Sequence, residues 1–161
     1  MFYLVSGFLL LLSCATQYAW PPWLQTGGAT PQLALIAVLS MGLIRGPLSG
    51  CAAGMIAAYV CASIGSLPMG GQFITYMGVG LLAGFLRGGV FSTRIVVAVV
   101  ASLVASIAGA LITLILAPPG EPLSWLRLML TTAVVTALWS IPVFAVFRAV
   151  GYRFTKDRDM Y

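Results

Sequence analysis

The chain has 161 residues, with 8 Lys+Arg, 3 Asp+Glu and no histidine; only 7% is charged while 61% is hydrophobic. Mean hydropathy is +1.07, and a soluble globule of this size has too little interior to hide so much apolar surface. Lipid must therefore be its solvent, and with so few ionisable groups it lacks a Ser-His-Asp triad, a metal cluster or a spaced acid/base pair, so neither catalysis nor a cofactor is expected.

Charge is costly at the bilayer centre, so the charged residues divide the chain into spans. Residues 1–44, 46–86, 95–120 and 128–147 carry none. A crossing helix needs about 20 residues, so each of the first two stretches holds two crossings and each of the last two holds one. The expected fold is an all-α integral membrane protein, a single six-transmembrane-helix bundle with spans near 2–18, 30–45, 47–67, 71–87, 94–117 and 124–150.

The breaks between spans have plain chemical causes. Trp20-Pro21-Pro22-Trp23 and the run from Gln25 to Pro31 stop the first helix, because consecutive prolines remove donors and fix φ. Trp20 and Trp23 suit an interfacial belt. The second span is short enough to be tilted or re-entrant. Gly65-Ser66-Leu67-Pro68-Met69-Gly70-Gly71 reads as a turn, and Pro118-Pro119-Gly120-Glu121-Pro122 separates the fifth and sixth spans. Pro142 is expected to kink the sixth.

Lys and Arg set the orientation. Six spans put Arg45, Arg87, Arg94, Arg148, Arg153, Lys156 and Arg158 on one side, leaving Arg127 on the other. That asymmetry places both termini in the cytoplasm. The positive charges are scattered over span ends with no basic face, so anionic lipid heads are the expected partner and nucleic acid is not. Cys14, Cys51 and Cys61 fall in apolar helices and read as small packing residues.

Helices in lipid pack closely through small residues. Gly50 and Gly54 on span three, and Gly80 and Gly84 on span four, form GxxxG pairs; Ser102/Ser106 and Ala105/Gly109 repeat the spacing on span five. Packing within the bundle is the first role for such faces, and docking a helix of another protein is the second. Every ionisable group sits at a span end, which disfavours ion-coupled transport. The interior polar groups, namely Ser and Thr hydroxyls, Gln72, Tyr76, Tyr59 and Trp139, would suffice to line a pocket for a neutral ligand.

The run Leu43-Ile44-Arg45-Gly46-Pro47-Leu48-Ser49-Gly50, followed by Gly54, Gly65-Ser66-Leu67-Pro68-Met69-Gly70 and Tyr76 to Arg87, resembles the family of the rod shape-determining protein MreD. Pro142 and Arg148 are similar to that family's last helix, and the resemblance covers roughly residues 31–153. It implies a bacterial inner-membrane scaffold and regulator of the cell-elongation machinery and its peptidoglycan synthesis. The implied partners are the single-span MreC and, nearby, MreB, RodA and a transpeptidase. Arg45 and Arg87, with the four glycines, are the expected packing or partner residues. Where family members commonly carry an aspartate in the third helix, this chain has Ala62, so any role of that carboxylate does not carry over.

A second class remains open. Such proteins are similar in layout to the S components of energy-coupling-factor vitamin transporters, which bind a small molecule from the outer side. S components commonly offer alanines at i and i+4 on the first helix. Here that spacing occurs on span three, at Ala53/Ala57 and Ala58/Ala62, and is missing from span one.

Overall fold

The computed structural model describes residues 2–22, 25, 28–65, 69–86, 95–116, 118 and 120–155. They form six helices: α1 (Phe2–Tyr18), α2 (Leu33–Arg45), α3 (Pro47–Ile64), α4 (Met69–Phe85), α5 (Ile95–Leu116) and α6 (Pro122–Thr155). Three are long and apolar enough to cross a membrane: α3, α5 and the Leu123–Gly151 part of α6.

The helix ends follow local chemistry. A tight turn at Gln32 (φ −83°, ψ 70°), closed by the Leu33 N–H on the Pro31 carbonyl, precedes α2, so that helix starts at Leu33, three residues later than the sequence pattern suggests. Pro47 opens α3, where its missing N–H would have had no partner. Gly65 ends α3 in extended backbone, its N–H still bonded to the Cys61 carbonyl at 2.8 Å. Gly70 and Gly71, expected in a turn, belong to the first turn of α4. Helix α6 continues through Pro142.

Helix α2 is the centre of the molecule. Every residue from Leu33 to Leu43 is buried, and α2 packs against all five other helices. A helix that is apolar all round belongs in a core. At 13 residues it is about 20 Å long at 1.5 Å per residue, short of the roughly 30 Å hydrocarbon thickness.

Around α2, the other helices bury many small residues, with Leu10, Phe144 and Phe147 as large exceptions, and expose many large ones. Ala53, Ala57, Ala58, Ala83 and Ala98 are buried, whereas Leu4, Phe8, Leu48, Leu82, Phe85 and Ile115 are exposed. This inverts the pattern of a soluble bundle. It suits a solvent of lipid tails, in which exposed Leu costs nothing and close packing stabilises. Cys14 and Cys61 lie wholly inside as free thiols.

Candidate functional site

The corner between α2 and α3 consists of one residue. Gly46 holds φ +101° and ψ −179°, a region open to glycine alone at low cost. It links Arg45, the last residue of α2, to Pro47, the first of α3. The Gly46 N–H bonds back to the Gly42 carbonyl at 2.8 Å, and its own carbonyl accepts the Gly50 N–H at 3.0 Å. The Arg-Gly-Pro sequence thus ends one helix and starts the next with no loop between them.

Four glycines then bring α4 against this corner. A Cβ on Gly50 or on Gly80 would enter the other's carbonyl group, and one on Gly84 would strike the backbone of Pro47. A Cβ on Gly54 would lie 2.7 Å from the Tyr76 carbonyl carbon. Gly42 of α2 joins them, its Cβ position 2.6 Å from the Gly80 oxygen. Gly50, Gly54, Gly80 and Gly84 therefore all lie in the α3–α4 contact, Gly50 and Gly80 against each other, Gly54 against the Tyr76 backbone and Gly84 against that of Pro47. Arg45 sits beside them, half-buried. Arg87 lies outside the described residues.

The second feature occupies the other half of the bundle. A cavity of about 280 Å³ is bounded by the end of α1 (Gln17, Tyr18), the start of α2 (Gln32, Leu35), and the start of α4 (Gln72, Thr75, Tyr76). The far half of α5 (Ser106, Thr113) and the first turns of α6 (Trp125, Leu128, Met129, Thr132) complete it. Ser106 lies midway along α5, so the lining on that helix runs from its middle to its end at Leu116. None of the described lining residues is charged.

Neighbouring helices satisfy the buried start of α2. Gln32 supplies no cap of its own. Instead Gln17 Oε1 of α1 accepts the Ala34 N–H at 3.0 Å, and Thr136 Oγ1 of α6 accepts the Gln32 N–H at 3.1 Å. The Leu33 N–H goes to the Pro31 carbonyl at 3.0 Å. A helix start away from water needs such partners. With these three donors occupied, the positive end of α2 offers no free N–H from Gln32, Leu33 or Ala34.

The cavity wall mixes side-chain amides with hydroxyls whose protons are already used. The Thr75 and Thr113 hydroxyls donate to the Gly71 and Gly109 carbonyls, both at 2.9 Å, and Ser106 Oγ donates to Gln32 Oε1 at 3.3 Å. Each hydroxyl keeps lone pairs for a further donor. Gln72 Oε1 is buried with no hydrogen-bond partner, and its residue is 7% exposed.

No family model, no curated protein and no solved structure matches the chain. The functional reading therefore rests on the residues themselves.

Of the polar residues expected in the interior, Gln72 and Tyr76 do line the cavity. Tyr59 does not: it is 60% exposed, because it falls on the outward face of α3 between buried Ala58 and Cys61. Trp139 is also off the cavity, stacked edge-on with Trp20 at a centroid separation of 4.9 Å. Trp23, the other expected belt residue, lies outside the described residues. Gln17 and Gln32 were missed. The signal for them was present: amides at the ends of apolar stretches in lipid must find partners inside the bundle.

Proposed function

We propose that this chain is a non-catalytic scaffold of the bacterial inner membrane that holds components of the cell-elongation machinery together, as its resemblance to MreD implies. It crosses the membrane six times with both termini in the cytoplasm, binds MreC, and works near MreB, RodA and a transpeptidase. One observation carries this reading. The segments that bear the resemblance, Arg45–Gly54 and Gly80–Gly84, converge in space on a single close-packed corner of α2, α3 and α4. Backbone-to-backbone packing of that kind makes a stiff platform, since it leaves no side chain free to yield. Its outer side presents Leu48, Met55, Ile56, Leu81, Leu82 and Phe85, all exposed, to lipid or to a partner helix.

The transporter reading fits less well. A coupling protein would need an accessible alanine pair, but Ala53, Ala57 and Ala58 are buried inside the bundle, while Ala62 is half-buried. Depletion of the protein in a rod-shaped host tests the choice. Round cells are the expected outcome, with MreC co-purifying from mild detergent. Unchanged shape together with lost vitamin uptake would replace the scaffold with an S component.

A further inference from the structure

We infer that the cavity between α1, α2, α4, α5 and α6 is a binding site for a small uncharged molecule that brings N–H or O–H donors and one apolar face. This goes beyond the scaffold reading and does not depend on it, since a bound ligand requires neither transport nor turnover.

Three observations define the ligand. The first is the orphaned acceptor. Gln72 Oε1 has no partner although its residue is 93% buried, and an unsatisfied buried acceptor is costly enough that native proteins rarely keep one. The second is the state of the hydroxyls. Thr75, Thr113 and Ser106 have all committed their protons to protein acceptors, so these oxygens can only accept from a ligand. The third is charge. The described lining residues include no carboxylate to balance a cation and no Lys or Arg to balance an anion, and the N–H groups of Gln32, Leu33 and Ala34 at the start of α2, where an anion would otherwise be favoured, are already bonded. An ion would pay for its dehydration with no counter-charge. A neutral molecule avoids that cost, and its donors find acceptors in the Thr75, Thr113 and Ser106 oxygens and Gln72 Oε1.

Size and polarity agree. The cavity's 280 Å³ is close to the lower end of the roughly 300–1,000 Å³ usual for small-molecule sites, which suits one compact ring compound. Leu35, Leu128 and Met129 supply the apolar side. This mixture, mostly apolar with a few convergent polar groups, is the usual make-up of a small-molecule site.

A matched pair of probes tests the proposal on the full-length protein in lipid nanodiscs. Uracil is neutral, planar and carries two ring N–H donors; 1,3-dimethyluracil keeps the ring and the carbonyls but has no donor. Calorimetric titration should show uracil binding in the millimolar range and the dimethylated ring at least about tenfold more weakly, the ratio expected for one satisfied buried hydrogen bond. Myo-inositol, a neutral polyol, serves as the second donor-rich probe. Gln72→Met should weaken uracil about tenfold, and Thr75→Val, which keeps the shape of the side chain, should weaken it severalfold without altering the melting temperature of the empty protein. Binding of neither uracil nor inositol at millimolar concentration would overturn the site. So would equal affinity for the two uracils, or tighter binding of acetate or guanidinium.

Discussion

Gly50 of α3 and Gly80 of α4 meet backbone to backbone, each carbonyl occupying the space where the other residue's Cβ would stand. The contact is reciprocal, and it is reinforced from α2, where a Cβ on Gly42 would come within 2.6 Å of the same Gly80 oxygen. Three helices therefore touch at one carbonyl. The obstacle on each side is backbone, which has no rotamer to turn away, so any side chain here must force the helices apart.

Alanine scanning of the glycines should separate those that pack from those that do not. Gly50→Ala and Gly80→Ala are each expected to cost about 1–3 kcal/mol or more, the usual range for overpacking, because the obstacle is backbone. Gly54→Leu and Gly84→Leu should be worse, preventing recovery of a monodisperse protein. Gly78 lies on the same helix as Gly80 but has nothing within 4 Å of its Cβ position; Gly78→Ala should be neutral or stabilising by about 0.5–1 kcal/mol. Melting temperatures in detergent read the difference. Equal behaviour of Gly78→Ala and Gly80→Ala would remove the packing account.

Gly46→Ala probes the corner by a different route. Its φ of +101° with ψ near 180° lies where a residue with a Cβ is strained by about 1–3 kcal/mol, whatever space surrounds it. Reduced thermal stability is expected. Gly46→Asn should rescue little, because asparagine tolerates the left-handed helical region but not this one.

How far the residues announced this architecture differs from feature to feature. Arg45, placed by its charge at a span end, does end a helix, and Pro21-Pro22 does follow one, because the cost of charge in lipid and the missing proline N–H act locally. The GxxxG spacing of Gly50/Gly54 and Gly80/Gly84 identified residues that pack, since any close helix contact in lipid favours them. What stayed hidden was depth. A run such as Leu33–Leu43 is equally apolar whether lipid or protein surrounds it, so nothing in it marked α2 as the core helix. The cavity was half legible. Gln72 and Tyr76 stood out as polar groups inside a span, whereas Gln17 and Gln32 looked like ordinary residues of a loop margin until α1 and α6 were seen to cap α2.

That capping gives a third prediction. Ala34 is wholly buried, and its N–H has the Gln17 side-chain oxygen as acceptor. Gln17→Leu strands that donor away from water, at a cost of about 1–3 kcal/mol. Gln17→Glu keeps an acceptor at the same reach and should recover part of the loss. Thr136→Val removes the companion acceptor for Gln32 and should destabilise by a similar amount. The two effects are expected to be less than additive, because both loosen the same helix start. Fully additive losses would show that the two caps act on separate elements.

The last prediction concerns which way the molecule faces. The end of α1 and the first turns of α6 border the same cavity, so these helices run antiparallel and the outer ends of both, Phe2 and Thr155, lie at the opposite end of the bundle. The end of α2 belongs there too: a Cβ on Gly151 of α6 would lie 3.2 Å from Ile44, which brings Arg45 and Arg148 to one level. Arg127, beside the cavity, stands at the other. Lys and Arg accumulate on the cytoplasmic side, and Arg153, in the last turn of α6, adds to the end that holds Arg45. Compartment-sensitive reporters fused to Met1 and to Tyr161 should therefore both report cytoplasm, and a reporter inserted after Gly120 should report the outer side. Opposite locations for the two termini would sink the six-crossing arrangement. Both termini outside would keep the bundle but turn the cavity toward the cytoplasm, contradicting the charge argument.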